Sequence, residues 1–302
     1  MANPVKRQPG VPSRQSSATQ RETVARPVPG KPAKPLTVAR GLPKPEPPPA
    51  LRPSAPGLEI LYGRQTVREA LRAGRRRFLQ VLLAEGIEPG GIVAEIVAYA
   101  QARACPVRTV PRSQLDGLGN VHHQGVVAEV SPFPYADVDD LLKEAQERGE
   151  PPLLLLLDHL QDPQNLGSLL RTAEAVGAHG AILPQRRAVG VTPAVSHASA
   201  GAAEHLAVAP VTNLAQTMAY LQQRGVWLVG LHPGPQAIPY DRADLKGPLG
   251  LIVGAEGVGL SRLVREKCDF LISLPLRGHV SSLNAAIAGA IALYEARRQR
   301  DT

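Results

Sequence analysis

Three short segments in the second half of the chain carry residues fit for chemistry. Asp162-Pro163-Gln164-Asn165-Leu166-Gly167 runs into a helix-forming stretch that holds Arg171. Gly254-Ala255-Glu256-Gly257-Val258-Gly259-Leu260 follows an apolar run, and Ser281-Ser282-Leu283-Asn284 opens a long stretch of small and apolar residues. Each begins where a buried-strand pattern gives way to a loop or helix start, and open α/β sheets collect their ligands at such strand ends. Asn165 or Gln164 is placed to cap the helix after it, and Ser281 or Ser282 to cap the last helix. Arg171, about a turn and a half into its helix, leans back toward the helix start. The glycines of the second segment expose backbone N–H groups and let a ligand lie against the chain. Their spacing is GxxGxG rather than GxGxxG, and no GK[ST] is present, so neither a dinucleotide fingerprint nor a phosphate-binding P-loop is found. Glu256, among glycines, has nothing to pack on. It is a candidate for binding substrate or orienting Arg171, against a solvated acid on a surface turn.

The elements that must position these residues follow from periodicity and punctuation. Leu153 to Leu157 is a continuous apolar run, as expected of a strand covered on both faces. From there strand and helix signals alternate: a helix from Leu166 to Val176, a strand at Ala181–Leu183, a helix from Pro193 to His205 and a strand near Val208. A helix from Leu214 to Arg224, strands at Val226–Leu231 and Leu249–Val253, a helix at Ser261–Glu266, a strand at Phe270–Leu274 and a final helix from Ser282 to Arg298 complete it. This pattern predicts a parallel α/β domain over 151–302. Before it, helices at Thr66–Ala73 and Gly90–Ala102 and strands at Phe78–Ala84, Val107–Val110 and Gly125–Val130 predict a small α/β domain over 57–132. Residues 133–150 form a linker with one helix, Val138 to Arg148.

The formal charge of +8 is concentrated, not spread. Residues 1–56 hold ten Lys or Arg against two Glu, 14 of the 30 prolines and no aromatic residue. Such a segment cannot bury enough apolar surface to offset chain entropy and is expected to be disordered. It is either a nonspecific phosphate-binding arm or a solubilising extension. The two cysteines, Cys105 and Cys268, make no CxxC pair and no zinc set, which points to a reducing, cytoplasmic setting and no metal. No apolar run reaches membrane-spanning length, and the N-terminus leads into no signal-peptide core. His122-His123 points to opposite faces of an extended segment with no third ligand near, which argues against a metal pair. Arg75-Arg76-Arg77 is either a solvated cluster or an RNA phosphate contact.

The order and wording of the three segments, NLGSLLRTAEAVG, GAEGVGL and SSLNAAIAGAIALYEARR, resemble the three motifs of the SpoU branch of SPOUT methyltransferases. The resemblance covers roughly residues 57–300. It implies methyl transfer from S-adenosylmethionine to a ribose 2′-hydroxyl in RNA, with a trefoil knot in the C-terminal domain and a ribosomal-protein-like RNA-binding domain before it. It further implies that Arg171, Asn165, Glu256, Ser282 and Asn284 form the catalytic set. The adenosyl site then lies at Leu231, Gly254, Ile272, Leu274 and Leu283, with Gly230 alongside and Leu283 packing on the adenine. For this family the arginine at the Arg171 position is the proposed base. A free guanidinium keeps its proton at any ordinary pH. Either desolvation and a nearby phosphate assist transient proton removal, or Arg171 steadies the developing alkoxide.

The accessory domain favours a guanosine of large-subunit ribosomal RNA over transfer RNA, again by resemblance. The small residues of the last helix, together with the family's two-fold dimers, predict a homodimer. The rival readings are a transfer-RNA ribose methyltransferase, a non-catalytic RNA-binding assembly factor, and a nucleotide enzyme of Rossmann type, which the absent fingerprint disfavours.

Overall fold

Apolar residues between positions 59 and 130 fill both faces of a sheet in a computed structural model that describes residues 51–279 and 281–302. The reading of the basic tail lies, for residues 1–50, outside the described residues. The elements are β1 (Glu59–Tyr62), α1 (Arg64–Ala73), β2 (Phe78–Ala84), α2 (Ile92–Ala102), β3 (Val107–Val110), α3 (Arg112–Asp116) and β4 (Val126–Val130). The strands lie in the order β1-β4-β2-β3, with β2 and β3 parallel and β4 antiparallel to both its neighbours. Side chains alternate faces along β4, so Val126, Ala128 and Val130 meet α1 and α2 while Val127 packs with Leu82 and Leu115 on the other side. His123 is buried, with Nε2 on Asp116 and Nδ1 accepting the Gly125 N–H, a structural role that leaves no nitrogen free.

The second sheet is built by α4 (Val138–Arg148), β5 (Leu153–Asp158), α5 (Pro163–Ala175), β6 (Gly180–Pro184), α6 (Pro193–Ala198), β7 (Val208–Val211) and α7 (Leu214–Gln222), continued by β8 (Trp227–Leu231), β9 (Ile238–Pro239), β10 (Leu249–Gly254), α8 (Arg262–Glu266), β11 (Phe270–Ser273) and α9 (Ala285–Arg300). Its order is β7-β6-β5-β10-β8-β11-β9, parallel throughout. The five leucines of β5 divide by parity. Leu153, Leu155 and Leu157 pack with Leu166, Leu169 and Leu170 of α5 and Ala292, Leu293 and Ala296 of α9. Leu154 and Leu156 pack with Leu141 of α4 and Met218 and Leu221 of α7. The expected parallel α/β domain, fronted by a small α/β domain, is the architecture observed. The linker helix α4 is part of this packing, since Leu141 and Ala145 are fully buried.

Two expectations fail, and one element escapes prediction, for identifiable reasons. The helix predicted from Pro193 to His205 stops at Ala198, because Ala200 and Gly201 take left-handed backbone angles and only a 3-10 turn, Ala202–Glu204, follows. The two-residue strand β9 carries too little pattern to be foreseen. Of Arg75-Arg76-Arg77, only Arg77 is exposed; Arg75 and Arg76 are neither solvated nor placed for a phosphate contact. The Arg76 guanidinium is fully buried, bound by both oxygens of Glu204 at 2.8 and 2.9 Å and by Glu59 at 2.6 Å. Arg75 donates to the carbonyls of Leu206 and Pro134. These arginines join the first sheet to the second.

The small residues of α9 also serve the core. A methyl on Gly289 would lie 2.5 Å from Leu169 and 3.1 Å from Val253, so α5 and β10 occupy that side. The outward face carries Ile287, Ile291 and Tyr294, all exposed.

Candidate active site

The parallel order changes direction between β5 and β10, since the chain moves outward to β6 and β7 on one side and to β8 and β11 on the other. Loops leaving the carboxyl ends of β5, β8, β10 and β11 meet there, the position where such sheets hold ligands. The sequence motifs are two of these loops and the turn that opens α9.

Asp162 caps α5, its carboxylate accepting the N–H groups of Gln164 and Asn165 at 3.2 Å each, with Pro163 at the first helical position. Neither Asn165 nor Gln164 is the cap, which leaves the Asn165 amide free for the site. Asn284, rather than Ser281 or Ser282, caps α9: its Oδ1 accepts the N–H groups of Ala286 and Ile287. That fixes which end of the amide faces the site. Its Nδ2 donates to Asn165 Oδ1 at 2.8 Å and to Glu256 Oε2 at 3.3 Å, while Asn165 Nδ2 donates to the same Glu256 oxygen at 3.1 Å. One residue from each motif thus closes a triangle of hydrogen bonds. Glu256 is held by the two asparagines and not by Arg171. Arg171 is exposed on α5 and makes no hydrogen bond or ion pair among the described residues.

Beside the triangle lies a cavity lined by Leu231, His232, Val253, the turn 254–259, Leu274, Leu276, Ser281, Ser282, Leu283, Ala285 and Ala288. Its walls are apolar side chains and backbone, and Ser282 belongs here rather than to the triangle. Of the expected adenosyl residues, Leu231, Gly254, Leu274 and Leu283 line it, whereas Ile272 is fully buried behind the wall with its carbonyl bonded to the His232 N–H. Gly254 is required by the protein itself. A methyl there would lie 2.2 Å from the Gly259 carbonyl carbon, so the glycine admits the returning turn, not the ligand. Gly259 has a φ of 71° and closes that turn by donating to Ala255 O.

Sequence reasoning missed two groups. Asp158, at the end of β5, is buried and accepts the Ser261 N–H at 2.6 Å while bonding His159 Nδ1. Its only signal is a carboxylate ending an apolar run. His232 lies in the cavity wall beside Arg265, and burial first, then that guanidinium, pushes its pKa below the ordinary histidine value. Among the described residues no three His, Cys, Asp or Glu side chains group as a metal site requires.

An apolar cavity with backbone edges suits an adenosyl group, and the hydroxyls of Ser281 and Ser282 suit the polar tail of an amino acid. These features suit a parallel-sheet domain that binds a nucleoside-type ligand, carried behind a small α/β domain. Comparison with known proteins makes the class specific. Residues 152–294 match the model of the SpoU rRNA Methylase family, and residues 60–136 match that of the RNA 2′-O ribose methyltransferase substrate-binding domain. YacO of Bacillus subtilis, named for the TrmH family of tRNA/rRNA methyltransferases, is 44% identical over 243 residues, covering 80% of this chain and 96% of its own. The crystal structure of the SpoU methyltransferase AviRb from Streptomyces viridochromogenes with AdoMet superposes with a TM-score of 0.67 at 28% identity, covering 81% of this chain and 91% of that one. An AdoMet-bound rRNA methyltransferase from Sinorhizobium meliloti gives 0.65 at 27% identity, covering 80% and 87%. The chain belongs to the SpoU (TrmH-like) family of RNA 2′-O-ribose methyltransferases. It is an S-adenosylmethionine-dependent, RNA-binding enzyme of the SPOUT type.

Proposed function

We propose that the acceptor is the 2′-hydroxyl of a guanosine in large-subunit ribosomal RNA, methylated in the cytoplasm. The observation that carries the reading is the substrate-binding domain at residues 60–136, tied to the catalytic domain through Arg76 and Glu204. The ribosomal-RNA naming of the matched family and of the Sinorhizobium structure supports it. The domain limits proposed are 57–132 and 151–302, and the trefoil knot is proposed on the likeness to SpoU structures.

Within the site, S-adenosylmethionine supplies an electrophilic methyl group on a sulfonium. Leu231, Gly254, Leu274 and Leu283 hold the adenosyl portion, with Ile272 supporting the wall from behind. Asn165, Glu256 and Asn284 form a preorganised polar floor, which orients the ribose without reorganising during reaction. Ser282 binds at the cavity mouth. Arg171 steadies the developing alkoxide, the role open to a guanidinium that keeps its proton.

The active unit proposed is a homodimer. Ile287, Ile291 and Tyr294 form an exposed apolar stripe on α9. A shallow groove lined by Ser168, Thr172, Asn284 and Ile287 joins that stripe to the Asn165–Asn284 pair, so a two-fold contact there sets the site beside the interface.

The test is transfer of tritiated methyl from S-adenosylmethionine to ribosomal and transfer RNA from cells lacking the gene, followed by digestion to nucleosides. Label in 2′-O-methylguanosine of large-subunit RNA is expected. Label confined to transfer RNA would replace the ribosomal reading.

A further inference from the structure

A second cleft opens on the other side of the triangle, lined by Asp158, His159, Asp162, Asn165, Arg187 and Glu256 among others. It shares Ala255, Glu256, Val258 and Gly259 with the cofactor cavity. Of the three carboxylates on its wall, Asp158 takes the Ser261 N–H and the His159 ring, and Asp162 takes two N–H groups of α5, one on each oxygen, while Glu256 takes both asparagine amides on Oε2 and leaves Oε1 open. The basic groups of the cleft wall without a partner among the described residues are the Arg187 guanidinium and His159 Nε2.

The Asp158 carboxylate engages Nδ1 of the His159 ring, which leaves Nε2 as the ring nitrogen without a partner. The ring is 43% exposed, so this nitrogen is open to a guest. His159 and Arg187 have φ values of 59° and 57°, left-handed angles that side chains other than glycine rarely adopt. Two such residues on the wall of one cleft mark backbone held at a cost, as binding sites often require.

We propose that this cleft is a ribonucleotide subsite for the strand flanking the acceptor: Arg187 holds a backbone phosphate, and His159 Nε2 hydrogen-bonds the 2′-hydroxyl of a neighbouring ribose. The chemistry requires both halves. A guanidinium pairs with a phosphate in forked geometry, whereas an imidazole nitrogen pairs with a hydroxyl, which the sugar of RNA has at its 2′ position and that of DNA lacks. His159 thereby discriminates ribose from deoxyribose next to the reacting centre. This rests on RNA being the substrate.

The probe is the shortest RNA that the wild-type protein methylates, synthesised also with a single 2′-deoxy sugar at each of the two positions on either side of the acceptor. Dissociation constants are measured against salt for wild type, Arg187→Gln and His159→Gly. Glycine relieves the left-handed angle while removing the ring, so loss of fold is not expected, and thermal unfolding checks it. Arg187→Gln should weaken binding and reduce the slope of log K against log salt by about 0.7 to 0.9, as for one lost phosphate contact. At one of the four positions, the deoxy sugar should weaken wild-type binding several-fold and leave His159→Gly binding unchanged. Wild-type salt slopes in Arg187→Gln, or deoxy effects equal in wild type and His159→Gly at all four positions, would overturn the proposal. Methylation by the wild-type protein is the separate control: if no RNA is methylated, the substrate reading fails first.

Discussion

Gly254→Ala probes the point where the cofactor cavity and the fold are one object. The added methyl would lie 2.2 Å from the carbonyl carbon of Gly259, 2.3 Å from its oxygen and 2.5 Å from the Leu260 nitrogen. Carbon atoms rest near 3.5 Å or beyond, so the returning strand of the turn would have to retreat by more than about 1 Å. It has little freedom to do so. Gly259 N is bonded to Ala255 O at 2.8 Å, and Leu260 is buried in the core with Leu228 and Val264. Overpacking of this kind costs roughly 1–3 kcal/mol, and backbone obstruction argues for the upper end. For a chain of this size about 3 kcal/mol corresponds to a fall in Tm of roughly 6–12 °C. The displaced turn is also the cavity wall, so affinity for S-adenosylmethionine should drop by at least about ten-fold, or 1.4 kcal/mol. Thermal unfolding and isothermal titration with the cofactor measure the two effects. Gly278→Ala, where a methyl meets nothing within 4 Å, should change neither. Wild-type Tm and cofactor affinity in Gly254→Ala would refute the described turn.

Other substitutions separate the remaining roles. Arg171→Ala and Arg171→Lys should both nearly abolish methylation while cofactor titration stays close to wild type, because the side chain lies outside the cavity and an ammonium lacks the planar fork; full turnover by either would remove Arg171 from the chemistry. Tyr294→Arg should split the proposed dimer in sedimentation velocity and lower methylation with it, whereas Ala292, fully buried, is the wrong place to probe an interface. Arg76→Ala leaves Glu204 buried without its cation and should destabilise the protein by roughly 3–5 kcal/mol in urea unfolding. A loss below about 1 kcal/mol there would mean that the Arg76–Glu204 pair does not bind the two sheets together.

What the amino-acid order reveals, and what it hides, divides by distance along the chain. Leu153 to Leu157 marks a central strand because local pattern alone demands cover on both faces. The three motifs mark strand ends because glycine, asparagine and serine there interrupt the apolar pattern. The caps were misassigned for a local reason: Asp162, Gln164 and Asn165 are all within reach of the same N–H groups, and only the fold decides that Asp162 wins. The arginine run was misread for a distant one. Glu204 lies 128 residues beyond Arg76, and nothing near Arg76 announces a buried carboxylate. The triangle of Asn165, Glu256 and Asn284 spans 119 residues, yet its members were legible because each sits in its own local motif. Asp158 and His159 had no such motif.

The central claim, a guanosine of large-subunit ribosomal RNA as acceptor, is tested most directly by mapping 2′-O-methylation at single-nucleotide resolution in ribosomal and transfer RNA from cells with and without the gene. The account predicts that one guanosine of large-subunit RNA loses its methyl group in the deletion strain. The wild-type gene should restore it, and the Asn165→Ala gene should not. An unchanged ribosomal map together with a missing methyl group in transfer RNA would contradict it.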